Sequence, residues 1–120
     1  MQSFTPPVTS KNHPLHHAKW GAGCDAWTLL NTEELCIKQE TMPPGTEEVL
    51  HYHQKAQQYF FILSGEAVFE VDNVIILVHK GEGIHITAGK QHRVMNKYSG
   101  DLKFLVCSQP STINDRFNLV

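Results

Sequence analysis

Short runs of β-branched and aromatic residues, each closed by Gly, Pro, Asp or Asn, pattern this chain from residue 27 to residue 108. No run carries helical periodicity over ten residues or more. The spacing predicts strands at 27–30, 35–41, 49–53, 59–63, 67–71, 74–78, 84–87, 92–96 and 102–108. Pro43-Pro44-Gly45 stops the second of these, since proline cannot donate to a ladder and glycine tolerates a turn. Ser64-Gly65-Glu66 and Asp72-Asn73 read as the turns of successive hairpins. Many short strands at even spacing predict an all-β sandwich or barrel. The 120 residues suit a single domain. Residues 1–20, with prolines at 6, 7 and 14, are expected to form an extended arm that wraps the body or pairs with a second copy. Residues 21–110 form the barrel, and 111–120 are an irregular tail with a short helical turn expected near Asn114.

Charge and cysteine usage narrow the function classes. Lys and Arg total 10 against 12 Asp and Glu, and no basic run is present, which argues against a nucleic-acid partner. Cys24, Cys36 and Cys107 are odd in number and none stands as C-x-x-C, so reduced thiols in a cytoplasmic protein are expected rather than a disulfide framework or thiolate zinc site. The longest aliphatic run, Val74 to Val78, is far short of the ~20 residues needed to cross a bilayer. The segment from Met1 to Pro7 lacks the basic start and apolar stretch of a secretory leader.

Histidine is the anomaly. The chain has eight, grouped at 13–17, 51–53 and 79–92. In a strand, residues two apart project to one face, so His51-Tyr52-His53 aims two imidazoles at the same side. Gln58 shares the parity of Phe60 and Ile62, and its amide oxygen can reach a metal if that face is internal. His92 shares a face with Val94 and Asn96 and can close the set from across the barrel. Three imidazoles and one oxygen suit Fe, Mn, Ni, Zn or Cu better than Mg or Ca. On an octahedral ion, four protein ligands leave two positions for water, dioxygen or a chelating ligand.

These residues carry a resemblance. Gly45-x5-His51-x-His53-x4-Gln58-x6-Gly65 resembles the first motif of the cupin superfamily, and Gly81-x5-Thr87-x-Gly89-x2-His92-x3-Asn96 resembles the second. The resemblance is to small single-domain cupins of the conserved-barrel, type 2 class. It implies an RmlC-like jelly-roll β-barrel, or double-stranded β-helix, with one divalent transition metal on His51, His53, Gln58 and His92. Two departures stand out. The family's usual glutamate ligand is Gln58, and the usual proline of the second motif is Thr87. An amide removes one negative charge from the ligand set, which makes the centre a stronger Lewis acid and more attractive to anions. The alternative is three histidine ligands with Gln58 one step removed. Gln57 has the opposite parity.

Other positions stay open at the level of sequence. His85 is an acid-base group if its face is internal and a surface residue if not; His79 is expected to be exposed. His13, His16 and His17 repeat no ligand spacing and read as exposed residues of the arm. The resemblance implies a polar pocket residue from the strand before the first motif, either Gln39 or the Lys38/Glu40 pair, for which an exposed ion pair is the plain alternative. Trp27, Tyr59 and Phe61 could be core, pocket or interface, and Arg93 reads as structural. The expected function is a metal-dependent enzyme acting on a small oxygenated anion, of sugar-acid isomerase or lyase type. A cupin dioxygenase and a non-catalytic small-molecule binder are the alternatives. A homodimer, with no membrane and no nucleic-acid partner, completes the expectation.

Overall fold

The computed structural model describes residues 5–119, and the ends of the arm and tail at 1–4 and 120 lie outside it. Among the described residues there are eleven strands and no helix, so no helix is long and apolar enough to cross a membrane. The strands are β1 His16–Trp20, β2 Cys24–Asn31, β3 Cys36–Met42, β4 His51–Tyr52, β5 Gln57–Ser64, β6 Glu66–Val71, β7 Val74–His79, β8 Gly83–Ile86, β9 His92–Met95, β10 Leu102–Gln109 and β11 Phe117–Asn118. They form two antiparallel sheets in the orders β1-β2-β3-β10-β5-β8 and β11-β4-β9-β6-β7. The fold is the jelly-roll of the expected class.

Period-two alternation decides what each strand buries. Leu102, Phe104, Val106 and Ser108 of β10 face inward, as do Gln58, Phe60 and Ile62 of β5. Phe69, Ile62, Leu102, Phe104 and Met42 fill one end of the interior and are all but inaccessible. Phe60 marks the boundary. Its ring centroid lies 5.0 Å from that of Phe69 and 5.6 Å from that of Phe104 on the apolar side, and 6.4 Å from that of His92 on the other. Beyond Phe60 the interior is polar.

Turn chemistry sets the register. Asp72 and Asn73 have φ of 46° and 68°, the paired left-handed conformation that joins β6 to β7. Gly65 has φ of +86°, and a Cβ there would lie 2.7 Å from the Asp101 carbonyl oxygen, so both backbone and space demand glycine. Asn96 is buried and ties the loop before β10, its amide donating to the carbonyls of Met42 and Gly100 while its oxygen accepts from the Tyr98 N–H.

Two segments are more regular than the sequence pattern suggests. Residues 16–20, read as part of the arm, pair with β2 as β1. Phe117–Asn118 pairs with β4 as β11, and the chain around Asn114 is a turn, not a helical one. Both had weak local signals, β1 because His16-His17-Ala18-Lys19-Trp20 is poor in β-branched residues and β11 because it is only two residues long. Trp27 and Tyr59 lie on outward faces: Trp27 stacks on His17 at 5.2 Å and Tyr59 is exposed.

Candidate metal centre

β4 is only two residues long, and its pairing with β9 sets His51 directly opposite His92, with ring centroids 4.4 Å apart. His53 follows two residues on, with centroids 5.0 Å from His51 and 5.5 Å from His92. One donor atom from each of the three rings lies within 4.8 Å of the others. Trans ligands on an octahedral ion with ~2.1 Å bonds stand about 4.2 Å apart, so the triad is close to the size of one coordination sphere.

The backbone decides which ring nitrogens face inward. Nδ1 of His51 donates to the Val49 carbonyl at 2.8 Å, Nδ1 of His53 to the Asp115 carbonyl at 2.6 Å, and Nδ1 of His92 to the Lys90 carbonyl at 2.9 Å. A carbonyl only accepts, so each Nδ1 carries the proton and each Nε2 of the neutral ring presents a lone pair to the interior. The residues are 1%, 4% and 1% exposed for His51, His53 and His92. Burial lowers the pKa of His51 and of His92 to about 4, so both are neutral at pH 7. Nε2 of His53 is buried without a hydrogen-bond partner, an arrangement that proteins avoid unless something else satisfies the atom.

Gln58 joins the triad from the other sheet. Its amide nitrogen donates to Ser108 Oγ at 3.0 Å, which turns its oxygen toward His92 Nε2 at 3.1 Å. With the His92 proton on Nδ1, that contact sets two acceptors face to face. A cation between them removes the repulsion, and ~3 Å is the separation of cis ligands on ~2.1 Å bonds. The residues present therefore fit a divalent ion.

Around this centre lies a cavity of about 70 Å³, lined among others by Lys38, Glu40, Glu48, Thr112, Ser108 and Arg116. At ~30 Å³ per water, it has room for about two waters or a carboxylate. Glu48 Oε2 stands 3.9 Å from His51 Nε2 and accepts from Arg116 Nη1 at 3.2 Å. Burial, with Glu48 adding to it, pushes the Glu40 carboxyl up to about 7. The polar contribution of β3 is thus Lys38 and Glu40, and they form no ion pair within 4 Å.

The remaining histidines stand apart from the centre. His85 is exposed and pairs with Gln57 at 2.8 Å on the outer face. His79 is exposed between Glu66 and Glu82. His17 binds Asp25 at 2.8 Å. Arg93 faces out and binds Glu70. Glu48, Thr112 and Arg116 carried no visible signal in the sequence. Asp115 clasps the loop after His53, its carboxylate accepting from the N–H groups of Gln54, Lys55 and Ala56 at 2.9–3.0 Å. Burial works to raise its pKa, but those three donors outweigh burial and hold the carboxyl below its ordinary value. The one hint was the lone acidic residue in the last ten.

A family model described as Cupin domain matches residues 38–108. An uncharacterized protein of Methanocaldococcus jannaschii is 31% identical over 74 residues, which cover 62% of this chain and 59% of that protein. The oxalate-binding protein of Thermotoga maritima is 31% identical over 64 residues, 53% of each chain. The matches thus span a little over half the length of these relatives. Among solved structures, an RmlC-like cupin from Shewanella frigidimarina superposes with a TM-score of 0.79 over 92% of this chain and 96% of its own, at 17% identity.

Proposed function

The chain belongs to the cupin domain family, and on that footing we propose that it holds one divalent transition metal ion on His51, His53, His92 and Gln58 and acts on a small oxygenated anion. The observation that carries this is the convergence of three Nε2 lone pairs, each imposed by an Nδ1–H bond to a backbone carbonyl, with the buried Nε2 of His53 lacking any partner. A bound ion supplies Lewis-acid polarisation of a ligand's carbonyl or adjacent oxygens. Iron, manganese, nickel and zinc all suit the donor set.

The chain's own residues do the rest. Three neutral imidazoles and an amide leave the charge of the ion undiminished, which favours an anionic ligand. Glu40 lines the same cavity, and a carboxyl near pH 7 can hold or release a proton on its oxygens under neutral conditions. A polarised carbonyl beside such a group suits isomerisation or lyase chemistry on a sugar acid, without need of dioxygen. Capture of an anion without turnover is the second reading, supported by the relative whose name records oxalate binding.

Protein purified without a nickel column should carry close to one equivalent of metal by elemental analysis, and His92→Ala should lose it. Stoichiometric metal in the variant, or none in the parent, removes the centre. Turnover of sugar acids by the metal-loaded protein should persist without dioxygen; activity that needs dioxygen indicates a dioxygenase instead, and metal-dependent binding without turnover selects capture. We also propose a homodimer through the exposed β7 edge, in a reducing compartment such as the cytoplasm that keeps the three free cysteines reduced.

A further inference from the structure

The inward face of β3 runs Cys36, Lys38, Glu40, Met42, from the polar mouth toward the apolar end. An ammonium on an inward-facing strand position needs a reason. Cross-strand register places Thr28 of β2 and Val106 of β10 beside Lys38, and Ala26 and Phe104 beside Glu40. The row continues into β1, where Ala18 lies opposite Ala26. Ala18, Ala26 and Thr28 are small, so the space over Lys38 and Glu40 stays open where larger side chains would fill it.

That space is extensive. The cavity of about 70 Å³ at the histidine centre adjoins one of about 280 Å³ under Ala18, Trp20 and Ala26 and another of about 200 Å³ reaching His16, Thr28 and Ser111. Among the described residues, Lys38 alone lines all three. It is only partly exposed, and it forms no salt bridge with any described residue. The other cation at this mouth, Arg116, is already held by Glu48. Glu40, two residues away on the same strand face, is partly neutral near pH 7 and compensates Lys38 only in part. A half-buried ammonium without a full counter-charge is unfavourable, and a ligand anion would relieve it.

We propose that Lys38 is the second anchor of an anion site running from the three-histidine centre into the groove beneath β1 and β2, and that its ligands are small molecules with two anionic groups. The inference rests on the metal-centred reading above, because one end of the ligand sits at the centre and the other at Lys38.

The experiment uses the full chain loaded with Mn(II) and titrated calorimetrically with acetate, malonate and succinate. The parent should bind one of the two dicarboxylates at least about tenfold more tightly than acetate, as one charged hydrogen bond allows. Lys38→Met should lose that preference while metal content and acetate affinity stay unchanged, and Lys38→Arg should keep most of it. A parent that takes up no metal overturns the metal reading and this inference together. A metal-loaded parent without dicarboxylate preference, or a Lys38→Met variant that retains it, overturns this inference alone.

Discussion

The imidazoles at the centre differ from ordinary buried histidines in one respect: each spends its donor on a backbone carbonyl and keeps its acceptor for the interior. Gln58 completes the set with an oxygen aimed by Ser108. The choice of amide over carboxylate at this position is open to a direct test. Gln58→Glu places a charge beside a dication, and since ~1.4 kcal/mol of added attraction is tenfold in affinity, metal should bind about tenfold more tightly or better. The same added charge should weaken anion binding. Competition with a metal chelator and calorimetry with malonate measure the two effects. Unchanged metal affinity would mean that the side chain does not touch the ion.

At the level of elements, the centre depends on a segment with almost no regular structure. The stretch from Ser111 to Leu119 crosses the barrel mouth, pairs with β4 through β11, and brings Thr112, Asp115 and Arg116 to the site. Asp115 acts twice: its carbonyl orients His53, and its carboxylate gathers three N–H groups of the loop that follows. Asp115→Ala should cost about 2–3 kcal/mol of stability, the scale of buried hydrogen bonds to a charged group. With the loop loosened and the His53 ring less constrained, metal affinity should fall by roughly 10–100-fold. Urea unfolding of the metal-free protein reads the first effect and metal titration the second. A variant with parental values in both would show the clasp to be dispensable.

The whole molecule measures 54 × 31 × 24 Å with a radius of gyration of 14.7 Å, against about 13.6 Å for a compact chain of 120 residues. The excess fits the N-terminal arm, where Val8 is 91% exposed. On the other sheet, edge strand β7 leaves Val74, Ile75 and Leu77 more than half exposed. An apolar edge with unpaired backbone groups is a liability that a second copy covers. The parent should therefore be dimeric by light scattering at micromolar concentration, and Leu77→Lys should shift it toward monomer with its metal retained. A monomeric parent removes the dimer.

Most of the strands could be read from the chain because a half-buried strand writes its own alternation. The four candidate ligands could be read for the same reason, since H-x-H forces two imidazoles onto one face, Gln58 shares the parity of Phe60 and Ile62, and His92 that of Val94 and Asn96. β1 escaped because His16-His17-Ala18-Lys19-Trp20 shows little apolar alternation, and β11 because it is two residues long and pairs with β4 more than sixty residues away. Tertiary structure also decided which nitrogen of each histidine faces inward, since His53 takes its partner from Asp115, 62 residues away. It decided, too, that Lys38, Glu40, Glu48 and Arg116 border one cavity. Such meetings depend on how two sheets close on each other, which local periodicity does not encode.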